Sequence, residues 1–255
     1  MALKRINRKR LNEDKILTYL SADKLNTYRR FTKSDQLISS IQFFVITQQV
    51  SGFLFTPLQF LEISLRNIIY QTLSDFYTNC RYTPKGQDPQ RWMYWLPQNS
   101  KVQHAVREAD KNAHTDITHR PVVMGDVISR LTFGAWVRIL NEQPNHKAPL
   151  HFWQYTAKDM FPNCPRRSQK NVLQRLRTIN DIRNRLFHFE PIWNTRTCRS
   201  SSQVVSDMRR KYEMISETIQ WISKDIDTLL ELFGHKEFMD NILNRFMQEL
   251  PAAFN

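Results

Sequence analysis

An all-α fold is the expectation from three features: only 5 of the 255 residues are glycine, strict apolar–polar alternation is scarce, and several long windows repeat apolar residues every three or four positions. A composition of 41% hydrophobic and 24% charged residues is that of folded globular proteins, and the length suffices to bury a core without disulfide or metal staples. Length alone permits one large domain or two small ones. With no internal repeat or low-complexity tract, the expected division is a basic N-terminal arm at 1–20 followed by a single helical domain at 21–255.

The first ten residues carry Lys4, Arg5, Arg8, Lys9 and Arg10 and no acid, a tail that is either a solvated leader or an arm along a phosphate backbone. From Ser21, SADKLNTYRRF predicts a capped helical turn. A helix follows from Gln36 to Val50, with Leu37, Ile41, Phe44 and either Val45 or Ile46 inward, closed by Ser51-Gly52. The next helix starts at Thr56 as N-cap with Pro57 at its first position. It aligns Leu58, Leu61, Leu65, Ile68 or Ile69, and Leu73 on one stripe. Residues 81–100 combine three prolines with Trp92, Tyr94 and Trp95 and read as an ordered aromatic loop over the core. Helices are predicted over Lys101–Asn112 and Gly125–Asn141, the second burying Val127, Ile128, Leu131, Trp136, Ile139 and Leu140 and ending before Pro144. Past a proline-spotted stretch, Ser168 opens a helix with the stripe Val172, Leu176, Ile179, Ile182 and Leu186, bounded by Pro191. Two more helices are predicted over Ser202–Leu232 and Lys236–Leu250, parted near Gly234.

The formal charge of +13 and a pI near 9.9 point to a polyanionic partner: RNA, DNA or an acidic membrane surface. No run of the about 20 apolar residues that span a bilayer was expected, and MALKRINRKR lacks the apolar core of a secretory signal, so a cytoplasmic protein without a membrane is predicted. Cys80, Cys164 and Cys198 are an odd set with no C-x-x-C pair and read as ordinary thiols. Neither His104, His114 and His119 nor His146 and His151 has metal-site spacing, and no phosphate-cradling glycine loop or acyl-transfer elbow occurs. No metal and no cofactor are expected.

The segment TINDIRNRLFHFEPI holds Arg183, four intervening residues and His188, with Asn184 directly after the arginine and Glu190 before Pro191. This R-x4-6-H pattern, within RNRLFHFEP, resembles the HEPN superfamily and in particular its Abi-like abortive-infection proteins (AbiD/AbiF type). Two upstream stretches are similar to the same family. FLEISLRNII at 60–69 supplies Glu62, Arg66 and Asn67 in an E-x-x-x-R-N arrangement, and ISRLTFGAWVRI at 128–139 supplies an S/T-F-G-aromatic segment. Phe189 departs from a pattern that often has a second histidine there. The resemblance covers residues from about 20 to 195. It implies a HEPN-type helical bundle with additional helices, a homodimer, antiphage defence by growth arrest, and a toxin restrained by a noncoding RNA or a protein antitoxin.

The chemistry has a physical basis of its own. Cutting RNA without metal needs a group to take the 2′-hydroxyl proton and one to stabilise charge on phosphorus. Histidine titrates near neutrality, and the arginine fork matches phosphate oxygens. Five residues of regular helix turn through about 500°, leaving Arg183 and His188 about 140° apart. Their convergence requires the helix to distort or end before His188, or a second subunit to complete the site. A helix-terminal position would favour the protonated imidazole through the dipole. The expected roles are acid/base for His188 and phosphate stabilisation for Arg183. Asn184 would hold the arginine or the scissile phosphate, and the products would be a 2′,3′-cyclic phosphate and a 5′-hydroxyl. Glu62 and Arg66 are either a structural i,i+4 pair or, with Asn67, a polar wall orienting Arg183 or the RNA.

Arg166, Arg167, Lys170, Arg175, Arg177, Arg185, Arg196 and Arg199 surround the motif and predict a phosphate-tracking surface, with Arg209, Arg210 and Lys211 further along. Trp92, Tyr94, Trp95 and Trp193 could stack on unpaired bases or, for the first three above all, pack in the core. The rival to a nuclease is a catalytically silent scaffold for a structured noncoding RNA; a DNA-binding regulator is disfavoured by the lack of a helix-turn-helix pattern.

Overall fold

The structure is a computed structural model that describes residues 12–33, 36–79, 83, 85–96, 100–141 and 152–249. The all-α expectation is met: among the described residues the chain forms helices and no strand. Lys4, Arg5, Arg8, Lys9, Arg10, Cys80, His146 and His151 lie outside the described residues.

Helix α1, Glu13–Leu20, occupies the end of the stretch expected to be an arm; the Asn12 side chain accepts from the Lys15 N–H at 2.9 Å and starts it. Helix α2 is Ala22–Thr32 and α3 is Leu37–Phe53. Glycine 52 does not stop α3. The break comes at Leu54, whose N–H bonds Ser51 one residue short of the α-helical partner, and α4, Phe55–Asn79, begins at once. Thr56 is therefore inside α4 and not its cap, while Pro57 still sits in the first turn, where a missing N–H breaks no bond. In α3 the inward set is Leu37, Phe43, Ile46 and Val50; Ile41 and Phe44 are half-buried and Val45 is exposed.

Helix α4 runs through the middle of the molecule. Its stripe of Leu58, Leu61, Leu65, Ile69 and Leu73 is buried, and it packs against α3, α7, α8, α10 and the 3-10 segment while the Gln59–Ile63–Asn67–Gln71 face stays exposed. The aromatic segment 81–100 is ordered at Pro89–Trp95 as a 3-10 helix that inserts Trp92 and Met93 against α4. Helix α5 is Lys101–Asp116. The helix predicted over Gly125–Asn141 is two: α6, Met124–Ser129, and α7, Phe133–Ile139. Thr132 separates them because its hydroxyl caps the Ala135 N–H at 3.3 Å. Helix α8, Trp153–Met160, arises in the proline-spotted stretch where none was predicted. Helix α9 is Gln169–Phe187. The helix predicted over Ser202–Leu232 divides into α10, Ser201–Ile222, and α11, Lys224–Leu232, at Ser223, whose extended backbone and hydroxyl cap the second. Helix α12 is His235–Glu249 and returns onto α3 and α10.

The α3–α4 span is more apolar than the sequence expectation allowed, though the core helix of a globular protein passes the same test of length and composition. Leu37–Asn79 is, over 43 residues, long and apolar enough to cross a bilayer by length and composition, with 44% of its most apolar window buried inside the fold. The sequence reading missed it because Ser40, Thr47 and Ser51 interrupt the apolar run. The Thr47 and Ser51 hydroxyls bond carbonyls one turn back, Ser51 that of Thr47 at 2.8 Å, and the Ser40 hydroxyl meets that of Thr32 on α2 at 3.3 Å.

Candidate active site

Three separated stretches meet around α9. Ser168 caps its start, accepting from the Asn171 N–H, and Val172, Leu176, Ile179, Ile182 and Leu186 are buried as the stripe requires. Helix α7 packs on both α9 and α4. Gly134 permits the α7–α9 approach, since a β-carbon there would lie 3.3 Å from the Asn180 Oδ1 atom.

The last turn of α9 carries the motif. His188 is the C-cap at φ −91°, ψ 7°, its N–H still bonded to the Asn184 carbonyl at 3.0 Å. Phe189 then adopts φ 54°. The Glu190 N–H reaches the Arg185 carbonyl at 2.8 Å and the Phe189 N–H the Leu186 carbonyl at 3.1 Å, the two bonds of a Schellman turn. Glycine usually takes that left-handed position, because a β-carbon there crowds the following carbonyl at about 1–2 kcal/mol. Phe189 is held by its surroundings: its ring lies under the Lys24 ammonium, 5.4 Å from the centroid, and lines an apolar cavity of about 540 Å³ with Tyr19, Phe44, Phe55 and Leu186. The helix thus ends before His188, one of the two conditions for convergence with Arg183. The imidazole is exposed, and nothing among the described residues bonds it.

Arg183 is engaged from α4. Its Nε lies 3.8 Å from a Glu62 carboxylate oxygen, an ion-pair distance too long for a hydrogen bond, and its guanidinium lies 4.1 Å from the centroid of the Phe187 ring. Glu62 therefore pairs with Arg183 and not with Arg66; the i,i+4 pair is not formed among the described residues. The Nε–H groups of Arg66 and Arg183 are both buried without an acceptor, a demand that phosphate oxygens or water can meet. Asn67 is exposed on α4, and the half-buried Asn184 side chain has no partner among the described residues. Glu190 lies 3.7 Å from Arg185 and closes the turn instead of facing Arg183.

The eight basic residues do not form one surface. Helix α9 has 19 residues and so is about 28 Å long; Arg166, Arg167 and Lys170 stand exposed at its start and Arg185 is half-buried at its end. Arg175 is spent on structure, bonded to Glu217 at 3.0 Å and lying 4.8 Å from the Trp221 ring centroid, and Arg177 reaches Asn141 at 3.5 Å. Arg209 pairs with Asp240. Arg196 and Arg199 lie on the 194–199 loop. Trp193 is no stacking platform: it is 1% exposed, packed with Tyr28, Phe31 and Phe43. Trp92 is equally buried, and Trp95 sits edge-on to Tyr77.

Asp207 escaped the sequence reading. Buried on α10, it takes Lys211, Arg210 and the Asn194 N–H, the last at 2.8 Å, and so anchors the chain that leaves the motif. Burial alone would raise its carboxyl, but Lys211 and the other donors outweigh that and hold it below the usual carboxylate range. An acid three and four residues before Arg210 and Lys211 was the available signal. Cys164 and Cys198 are buried thiols pushed up by desolvation, against a nucleophilic role. No group of three or more histidine, cysteine or acidic side chains is arranged to hold a metal among the described residues. No family model, curated protein or solved structure matches this chain.

Proposed function

We propose that the chain is a metal-independent endoribonuclease of HEPN type, acting as a homodimer and serving as the toxin of an antiphage abortive-infection or toxin–antitoxin system in the cytoplasm. The observation that carries this reading is that one end of α9 holds both an exposed, unbonded His188 on a backbone-fixed turn and, five residues before it, an Arg183 that still has an unused Nε–H. In the reaction the 2′-oxygen attacks the adjacent phosphorus as its proton passes to a neutral imidazole. The P–O5′ bond breaks, the 5′-oxygen takes a proton from an imidazolium, and a 2′,3′-cyclic phosphate and a 5′-hydroxyl result. Arg183, oriented by Glu62, stabilises the phosphorane charge, with Asn184 at the phosphate.

The acid and the base are the same residue in two copies. Support comes from the apolar skin beside the site, where Tyr19 is 82%, Phe189 62% and Phe187 48% exposed, a surface that a second copy would cover. A restraining noncoding RNA or protein antitoxin completes the system. The competing reading is a silent RNA scaffold; it is favoured by the fact that Arg183 already has Glu62 and Phe187 as partners.

The test is to incubate the purified wild type, His188→Ala and Arg183→Ala with total cellular RNA in EDTA and to analyse the ends. Cleavage to cyclic-phosphate ends by the wild type alone is expected. If no form cuts and all carry the same discrete RNA, the scaffold replaces the nuclease.

A further inference from the structure

Several cations of the C-terminal half are neutralised: Arg175, Arg185, Arg209, Arg210 and Lys211 each have a carboxylate partner. Four cations that meet at one place are not. Arg30 and Lys33, at the end of α2, and Arg196 and Arg199, on the 194–199 loop, line one cavity of about 330 Å³ that no acidic side chain lines among the described residues. None of the four is in an ion pair among the described residues, and all are exposed. Four like charges around one concavity repel each other and focus a positive potential into it.

The frame that carries them is rigid. Phe31 and the buried Trp193 line the cavity with the core behind them. The Asn194 side chain accepts from the Arg196 N–H at 3.0 Å, Gln203 accepts from the Arg199 N–H at 2.6 Å, and the Asn194 N–H is held by Asp207. Lys33 ends α2 in the left-handed region, φ 48°, its N–H bonded to the Arg29 carbonyl. The backbone on both sides of the cavity is therefore set before any ligand arrives, which lowers the ordering cost of binding. Trp193 follows His188 by five residues, so the chain limits their separation to about 18 Å.

We propose that this cavity is a phosphate-backbone anchor for single-stranded RNA, separate from the Arg183–His188 centre, in which Arg30, Lys33, Arg196 and Arg199 contact successive phosphates of a strand running towards His188. A polyphosphate chain answers four unneutralised cations better than a single anion does, and the arginine forks suit its oxygens. The proposal rests on the RNA part of the functional reading and is independent of cleavage.

The experiment measures anisotropy of a fluorescent 2′-O-methyl RNA 20-mer, which offers no 2′-hydroxyl to cleave, across a salt series. The proteins are the full-length wild type, the variant Arg30→Gln/Lys33→Gln/Arg196→Gln/Arg199→Gln, and a control losing equal charge, Lys101→Gln/Lys111→Gln/Lys158→Gln/Lys224→Gln. None of the control lysines lines the cavity. The first variant is expected to bind at least roughly tenfold more weakly, with a log K against log salt slope shallower by about 2.8, while the control keeps the wild-type slope to within about 1. Should the quadruple variant misfold, Arg30→Gln and Arg196→Gln singly are each expected to flatten the slope by about 0.7. Equal losses in variant and control, or an unchanged slope in the variant, overturn the anchor. Binding to phosphatidylserine vesicles through these four residues with no RNA binding overturns it in favour of a membrane surface. A protein that binds the oligomer through the four cations yet cuts no RNA refutes the nuclease and leaves the anchor standing.

Discussion

Replacing Asp207 by asparagine tests the least obvious support of the site. The substitution keeps an acceptor for the Asn194 N–H and removes only the charge. Asp207 and Lys211 have side chains 5% and 14% exposed, so water screens their attraction little, whereas Arg210, 70% exposed, contributes little. Losing the carboxylate strands the Lys211 ammonium in a desolvated position, a change that costs about 3–5 kcal/mol. For a chain of this size that corresponds to a fall in Tm of roughly 6–20 °C. Circular-dichroism melts and urea titrations of wild type and Asp207→Asn measure it. The sign with pH is also fixed. In the wild type the Asp207 carboxyl titrates lower folded than unfolded, so its contribution is complete above the unfolded value and is lost as pH falls through the folded one. In the variant the stranded lysine titrates lower folded than unfolded, so stability falls as pH drops below the ordinary lysine range. The double variant Asp207→Leu/Lys211→Met, which removes both charges, should recover most of the loss. A single variant within about 1 kcal/mol of the wild type would refute the assignment of Asp207 as the anchor of the 194–199 loop.

Two further outcomes follow from the site. Glu62→Gln keeps the shape beside Arg183 but not the charge, and RNA cleavage is expected to fall roughly tenfold with Tm moved by less than about 2 °C; equal losses in activity and stability would make Glu62 purely structural. Trp193→Ala should cost about 3–5 kcal/mol by denaturant titration, while Trp193→Phe keeps RNA affinity within about twofold, as fits a core side chain and not a base-stacking platform; a tenfold affinity loss in the phenylalanine variant with stability intact would reverse that assignment.

The helices legible in the sequence were those whose apolar stripe runs unbroken, α4 and α9 above all. What escaped was punctuation. The α6–α7 break hides because Leu131 and Phe133 continue the apolar pattern across Thr132, and the α10–α11 break hides because a lone serine ends α10 without glycine or proline. The opposite error occurred at Gly52, where a residue that often ends helices is carried inside one. Within the site, the sequence shows Arg183, Asn184 and His188 as one motif, although a regular helix would set the first and last about 140° apart. The Glu62–Arg183 contact joins residues 121 positions apart in the chain; the sequence left Glu62 either paired with Arg66 or turned with Asn67 towards Arg183, because pairing rules see only neighbours along the helix. Arg30 and Lys33 were missed for the same reason: nothing in the α2 segment says that a loop more than 160 residues later will face it.

The left-handed Phe189 bears on how a histidine can serve a reaction from an exposed position. The turn fixes the His188 α-carbon through backbone bonds on both sides, yet no neighbour grips the ring, so the residue resembles a swivel, clamped at the base and free at the head. On the proposed reading, an approaching RNA strand would select which of its two nitrogens faces the reacting oxygen. Ordering the ring against a bound ligand would cost about 0.5–1.5 kcal/mol. If the chain is the proposed nuclease, its acid and base are held loosely at rest and the substrate assembles the working geometry.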